Sequence, residues 1–451
     1  MIRRIKPFLL VLFAAATVIG AGSSASAHSG KQTYLYVNLF DDGVDGRIEF
    51  PAADLAAVLD LEFGTDPGQA ARVADANAAE IQSYVADHFA IGDGEEDWDI
   101  EFGAVEILPV AGNYILVPYT VQREFDAAPR SFVMEFDGII HANDQKDALL
   151  HIENDWRSAQ FANEADPIIG FSAGQTVQTV TINDTSTFES MGAVRALGTD
   201  TMRTSTDQIL FVVALVVPIG LVARGRTVSD PAPTLPAVAR RLTRLLVISI
   251  VAHSATLWLV GFGVIDLSAR LTSILVAVAL LALAVYAVVR FGGRHEDVVV
   301  AVLGLVQGLG LGLAFTSTHL DRYDTLLPLL AFNLGVEVAV LVIAAMVLAI
   351  TLPLRRTALA PIVLYGAAIA IAGYAIGWLY ERIGDTSISM EKIANPLRVW
   401  PRNLWIVIAV ALAGGAVYWW TASRGRLRPV DGQPSDDDSS PAPRTGELVN
   451  Q

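Results

Sequence analysis

The chain has 451 residues, of which 53% are hydrophobic and 17% are charged, with a formal net charge of −16. Its mean hydropathy of +0.46 is too high for an ordinary soluble protein and is typical of a chain that is about half membrane. The absence of cysteine excludes disulfides and thiolate ligands, so any metal must be held by nitrogen and oxygen donors.

Residues 1–27 have the pattern of a secretory signal peptide. Basic residues precede an apolar stretch at residues 8–21, and Ala25-Ser26-Ala27 forms a small-residue cleavage site. The alternative is a retained first helix, but the apolar run is short and ends in Gly and Ser. Cleavage would make His28 the first residue, whose amine and imidazole suit a Cu(II)- or Ni(II)-like ion, unless it is an arbitrary residue left by processing.

Residues 28–200 are predicted to form an exported acidic domain. They contain 31 acidic and 8 basic residues, a net charge of −23, which argues against nucleic acid and favours cations. Their pattern indicates a β-rich, β-sandwich-like α+β fold with one or two helices, in one domain or two. Strands are predicted at 33–39, 98–108, 114–123, 131–140, 148–153 and 176–182, helices at 53–61 and 68–89, and turns at Asp42-Gly43 and Asp45-Gly46.

Two polar stretches of this domain were weighed as sites. His151, Glu153 and Asp155 alternate, so they share one face of a continuing strand, and a solvated face is favoured over a binding site. The acidic segment 93–99 lacks the spacing of an EF-hand loop and is interpreted as a solvated loop.

Residues 201–423 are predicted to be a helical transmembrane domain, followed by a disordered cytoplasmic tail at residues 424–451. Seven spans are predicted, at about 208–223, 245–265, 271–289, 298–316, 325–352, 359–380 and 404–420.

Basic residues orient these spans. The first, third and fifth connections and the tail are rich in arginine, whereas the second and fourth carry one base each, Arg270 and Arg322. The positive-inside rule therefore places the N-terminal domain outside a bacterial cytoplasmic membrane and the C-terminus in the cytoplasm. The sixth connection, residues 381–403, holds four bases and fits less well, so the last span is the least supported.

Glu337 is the most informative polar residue in the predicted spans. A carboxylate in hydrocarbon is costly and normally faces the bundle interior or a water-filled cavity. Asn333 lies four residues earlier and therefore on the same helix face. The alternative is a protonated Glu337 that only bonds Asn333 or Gln307.

Further polar side chains occupy other spans. His253 lies in the middle of the second span, where it binds a metal, relays a proton or simply bonds a neighbouring helix. Gln307 lies in the fourth span beside glycines spaced four apart, which indicate close helix packing. Asp207 and Gln208 form a mouth at the outer edge of the first span, or merely a solvated helix start. We predict that these residues and Glu337 converge on one polar site.

Four motifs in the membrane part resemble the HupE/UreJ family of nickel or cobalt permeases. Residues 332–337, FNLGVE, match the family's F-N-x-G-V-E, and residues 252–257, AHSATL, match its A-H-S-x-T-L. Residues 304–310, GLVQGLG, follow its G-L-x-H-G-L-G, and residues 207–211, DQILF, follow its D-H-x-L-F. The resemblance covers roughly residues 198–380. It implies a helical membrane permease with an intramembrane metal site.

The chain departs from the family at the side chains that would bind the metal. Family histidines correspond to Gln307, Gln208 and an upstream Thr201, and a family glutamine corresponds to Val340. Glutamine is a much weaker ligand than imidazole for Ni(II) or Co(II). The resulting set is rich in oxygen with one nitrogen, from His253, which suits a harder or more weakly held ion.

These observations predict a membrane permease-like protein that moves or binds a divalent metal cation, nickel or cobalt by resemblance. Its partners are the bilayer and the cation, with a protein partner through the exported domain also open. The alternative is a non-transporting, membrane-anchored binding or assembly protein that acts through its exported domain. No resident cofactor is predicted beyond a divalent metal ion, and no nucleophile elbow, phosphate-binding loop or H-E-x-x-H motif predicts an enzyme. The ion, the energy coupling and the oligomeric state are left open.

Overall fold

The structure, a computed structural model, describes residues 32–110, 112–222, 231–289, 295–323, 326–384, 390 and 404–430. The predicted signal peptide, His28 and most of the predicted tail lie outside these residues. The described residues divide into two compact units. One comprises the chain up to Asp200 together with Ala314–Val336, and the other comprises Thr201–Leu313 and the residues from Glu337 onward.

The N-terminal unit is β-rich, as predicted. Its described residues form ten strands: β1 Thr33–Phe40, β2 Gly43–Pro51, β3 Phe89–Gly92, β4 Ile100–Phe102, β5 Glu106–Leu108, β6 Tyr114–Val121, β7 Ser131–Phe136, β8 Ala148–Asp155, β9 Ile169–Phe171 and β10 Val177–Thr181. Three helices connect β2 to β3: α1 Ala52–Leu59, α2 Pro67–Ala76 and α3 Ala78–His88.

The strands form two sheets. The larger has the order β4-β6-β2-β1-β8-β9, with β5 also paired to β6, and the smaller has the order β10-β7-β3. All described pairs are antiparallel except β1 with β8. Both sheets contribute to one hydrophobic core, as in a sandwich. Its members include Leu35, Ile48 and Val117 from the larger sheet and Ile91, Met134 and Phe136 from the smaller.

The predicted turn at Asp45-Gly46 is wrong, because both residues lie inside β2. Gly46 pairs with Val37 and Tyr119 on the two neighbouring strands. A Cβ atom there would lie 2.0 Å from the carbonyl oxygen of Tyr36 and 2.6 Å from the Tyr119 hydroxyl. The Tyr119 hydroxyl donates to that carbonyl at 3.2 Å, so glycine serves a close approach and not a turn.

The solvated face predicted for His151, Glu153 and Asp155 is also wrong. His151 and Asp155 are fully buried in β8, and Glu153 is only partly exposed. Arg47 donates to Glu153 at 2.5 Å, and Arg130 pairs with Asp155 at 2.8 Å. Buried carboxylates must be paired, and the partners are Arg47 on β2 and Arg130, just before β7, both distant in sequence.

The acidic segment 93–99 was interpreted as a solvated loop, and residues 93–97 agree with this. Residues 93–97 are exposed, whereas Trp98 is buried. Hydrogen bonds from the backbone N–H groups of Glu96 and Glu95 lower the pKa of Asp93 to about 2. The loop therefore stabilises its own carboxylate without an ion.

The remaining chain is helical: α4 Thr187–Thr204, α5 Thr206–Leu221, α6 Leu235–Gly261, α7 Ala269–Val289, α8 Glu296–Thr316, α9 Leu326–Leu354, α10 Ala360–Ile383 and α11 Leu404–Ser423.

The helices α6 to α10 are long and apolar enough to cross a bilayer. The pair α4 and α5, bent by 73° at Ser205, makes a sixth if it is one broken span. Within α11, Ile408–Ser423 is a shorter apolar helix. Five or six of the described helices are thus long and apolar enough, instead of the predicted seven, because α5 alone has only 16 residues and the apolar part of α11 is also short.

Candidate functional site

His253 lies in the middle of α6, and its side chain is 5% exposed. An imidazole so deep in an apolar helix needs a polar partner. Its Nε2 atom lies 2.9 Å from Oε1 of Glu337, which is 84 residues further along the chain. The structure therefore brings together the two residues on which the predicted polar site most depends.

Glu337 lies on α9, and its side chain is 15% exposed. Besides the contact with His253, Oε1 accepts a hydrogen bond from the Ser254 hydroxyl at 3.1 Å. The second oxygen, Oε2, is buried and has no hydrogen-bond partner among the described residues. A buried carboxylate oxygen without a donor is costly, so this atom is not explained by the hydrogen bonds of the described residues.

Glycines on α8 bring that helix against His253. A Cβ atom on Gly308 would lie 2.3 Å from the carbonyl oxygen of His253 and 2.8 Å from Cβ of Thr256. A Cβ atom on Gly304 would lie 3.2 Å from the carbonyl oxygen of Ser249, and one on Gly312 would lie 2.5 Å from Cβ of Val260. The small residues spaced four apart therefore allow direct backbone contact between α8 and α6, as their spacing indicates.

Gln307, next to Gly308, is 2% exposed. Neither its amide nitrogen nor its amide oxygen has a hydrogen-bond partner in the described part of the chain. On α8, Gly308 faces α6 and Gly310 faces α5. On a helical wheel, residue 307 lies between these two directions. The amide thus points into the bundle between two helices that carry predicted site residues.

Asp207 and Gln208 lie in the first turn of α5. The Gln208 amide donates to Asp207 at 3.3 Å, and Gln208 is 3% exposed. A Cβ atom on Gly310 of α8 would lie 3.2 Å from the Gln208 amide nitrogen. These residues are packed against α8 and are not a freely solvated helix start.

Asn333 lies one helical turn before Glu337 on α9 and is half-buried. Between the two, Gly335 meets α4: a Cβ atom there would lie 2.0 Å from the carbonyl oxygen of Arg195. The carbonyl oxygen of Gly335 also accepts from the Thr199 hydroxyl at 3.0 Å. The FNLGVE motif thus combines a helix-packing glycine with the carboxylate of the site.

Sequence reasoning did not single out Ser254, although it lies inside the AHSATL motif. Serine in a membrane helix commonly bonds its own backbone, so the residue type alone gave no signal. A role for His28 stays a prediction, since that residue lies outside the described range.

Comparison with protein families gives a match in the membrane part of the chain. A family model described as HupE/UreJ protein matches residues 176–382, the C-terminal part of the chain. The resemblance inferred from the four motifs is confirmed, and the matched region contains every intramembrane residue discussed above. In a comparison with curated proteins, no protein matches the chain.

Proposed function

Since residues 176–382 form a HupE/UreJ region, we propose that the protein is a permease that passes a divalent cation of the nickel and cobalt class across a membrane. The contact between His253 and Glu337, 2.9 Å apart inside the helix bundle, carries the proposal. The N-terminal domain lies outside, and its net charge of −23 concentrates cations near the mouth.

The spacing of the two donor atoms supports a shared ion. Two ligands that bind one ion at about 2.1 Å and at right angles lie about 3.0 Å apart. Nε2 of His253 and Oε1 of Glu337 are at nearly this distance. A cation would replace the proton between them, because only a deprotonated imidazole nitrogen binds metal.

Additional oxygen donors lie buried in the same helix bundle. Oε2 of Glu337 and the amide of Gln307 are buried without hydrogen-bond partners in the described residues. Ser254 already touches the carboxylate and supplies a hydroxyl oxygen. One imidazole with several oxygens holds a transition metal less tightly than a set of histidines does. Weak occupancy suits a permease, since an ion must leave the site as readily as it arrives.

Uptake of Ni²⁺, Co²⁺, Mn²⁺ and Zn²⁺ into liposomes tests the proposal, with wild type, His253→Ala and Glu337→Gln compared with empty liposomes. We expect wild type to accumulate Ni²⁺ or Co²⁺ and each variant to lose at least about tenfold in rate, which corresponds to ~1.4 kcal/mol. Thr351→Val is the matched control, because Thr351 is buried on the same helix as Glu337 and bonds only its own backbone.

Two outcomes contradict the proposal in different ways. If wild type accumulates no metal above empty liposomes, the protein is not a metal permease, and the membrane-anchored binding protein becomes the better hypothesis. If wild type accumulates metal and both variants do so equally, transport occurs but not through His253 and Glu337.

A further inference from the structure

A second group of metal-binding side chains lies in the N-terminal domain, outside the helix bundle. His88 is the last residue of α3, and β3 begins at the next residue. In the ladder between β3 and β7, Phe89 pairs with Phe136, so His88 and Asp137 face each other one step beyond the paired strands. The Asp137 backbone N–H donates to the carbonyl oxygen of His88 at 3.2 Å.

The chain after Asp137 turns back and brings a second imidazole to the same place. His141 follows four residues later, and its backbone N–H donates to the carbonyl oxygen of Asp137 at 2.9 Å. Inside this turn Ile139 has φ of 65°, a conformation that a β-branched residue rarely adopts. The Tyr84 hydroxyl accepts from the Ile139 N–H at 2.8 Å and anchors the turn against α3.

The side chains converge. The rings of His88 and His141 stack with centroids 4.1 Å apart and an angle of 9° between their planes. Nδ1 of His88 lies 2.6 Å from Oδ1 of Asp137. One ligand atom from each of the three residues lies within 4.8 Å of the other two.

We propose that His88, Asp137 and His141 bind one divalent transition-metal ion on the N-terminal domain. Two imidazoles and one carboxylate are a ligand set that suits Ni²⁺, Co²⁺, Cu²⁺ or Zn²⁺. Two ligand atoms of one ion, each at about 2.1 Å and at tetrahedral angles, lie about 3.4 Å apart, so side-chain rotations must bring the ligand atoms closer by up to about 1.4 Å. The two stacked imidazole rings must also turn, so that the ion lies in both ring planes.

The three side chains are partly or fully exposed, so the site is open to solvent. Nearly two-fifths of the Asp137 side chain is exposed, His88 is half-buried and His141 is exposed. The metal would therefore keep open coordination positions that face solvent. The net charge of −23 on this domain raises the local concentration of cations around such an open site. The inference does not depend on transport through the helix bundle.

Binding of Co²⁺ to the full-length protein in detergent is the test, followed by visible absorption of the bound ion and by isothermal calorimetry. The chain carries His253→Ala and Glu337→Gln throughout, so that the intramembrane pair contributes no signal. We expect one Co²⁺ per chain with nitrogen ligation, displaced by Ni²⁺, and at least a tenfold weaker affinity in His88→Ala, Asp137→Asn and His141→Ala.

His319→Asn is the matched control. His319 is an exposed histidine with φ of 56°, a conformation that asparagine tolerates, and it should leave the Co²⁺ affinity unchanged. His141→Ala is the decisive variant, because an exposed side chain can be removed without unfolding the domain, and equal melting temperatures without metal verify this. Unchanged Co²⁺ affinity and absorption in His141→Ala would overturn the proposal. Loss in the variants, with uptake failing in wild type, would retain this site and remove only the permease.

Discussion

Gln307 is a buried amide where a family histidine would stand, and neither of its polar atoms is bonded within the described residues. An unsatisfied buried polar group costs about 1–3 kcal/mol, and hydrophobic residues pack as well at such a position. Gln307 is thus poorly explained by stability alone. A role toward a passing ion accounts for a side chain that destabilises the resting protein.

The first prediction follows from this conflict. Gln307→Leu should raise the free energy of unfolding by about 1 kcal/mol or more, because it removes an unpaired amide, and should slow metal uptake at least tenfold. Thermal unfolding in detergent and liposome uptake measure the two effects. Gln208→Leu is the contrasting variant: its amide bonds Asp207, so its loss should lower stability. A less stable Gln307→Leu protein with normal uptake would contradict the argument.

Among the elements, α8 contacts the helices that carry His253 and Gln208. Its glycines meet the backbone of α6 at His253 on one side, and Gly310 meets the Gln208 amide on another. Backbone contact leaves no adjustable side chain between the helices, so the position of His253 depends on the absence of a single Cβ atom.

Gly308→Ala tests this dependence. The added methyl group would lie 2.3 Å from the His253 carbonyl oxygen, so α8 must move away from α6. We expect a loss of about 1–3 kcal/mol in unfolding free energy, together with slower uptake. Gly366→Ala on α10 is the control, since a Cβ atom there has no heavy atom within 4 Å, and it should leave stability unchanged or raise it by up to about 1 kcal/mol. Equal melting temperatures for the two variants would show that the contact is not tight.

Elements with local signals were predictable from sequence, and contacts between distant segments were not. Residue composition gave β1, and length with hydropathy gave the helices α6 to α10. The glycine of β2 was misjudged because the Tyr119 hydroxyl that needs the space comes from another strand. His253 and Glu337 were associated because each is a polar side chain inside an apolar span, and not through their spacing. His88 and Asp137, 49 residues apart, carry no pattern at all and meet only through the ladder of β3 and β7.

For the whole molecule, contacts between connections support the proposed topology. The connection between α8 and α9 groups with the N-terminal domain, where Arg322 pairs with Asp42 at 2.9 Å and with Asp45. We therefore expect that connection and the domain to lie on one side of a membrane. The positive-inside rule placed both outside, from charges alone.

The opposite set of connections also meets. Arg241, at the start of α6, pairs with Glu296, at the start of α8, at 2.6 Å. After α11, the carbonyl oxygen of Arg428 accepts from Arg356 at 2.9 Å, beside the start of α10. The end of α10, in contrast, bonds Arg270 through the Arg382 carbonyl oxygen at 3.0 Å. The helix α10 is about 36 Å long, and Arg428 lies near its start whereas residue 383 is its end. The chain between residues 383 and 428 must therefore run back along the length of α10. This favours α11 as a further span.

Because the natural chain lacks cysteine, single introduced cysteines can report this topology directly. Ser317 follows α8, Ser423 ends α11, both are exposed, and each hydroxyl bonds a carbonyl three residues earlier, so they form a matched pair. With a membrane-impermeant maleimide, Ser317→Cys should be labelled in intact cells, and Ser423→Cys only after permeabilisation. Labelling of both in intact cells would place the two connections on one side, and α11 would then not cross the membrane. Labelling of Ser423→Cys alone would invert the whole arrangement, and the acidic N-terminal domain would then face the cytoplasm, where it could not collect cations for uptake.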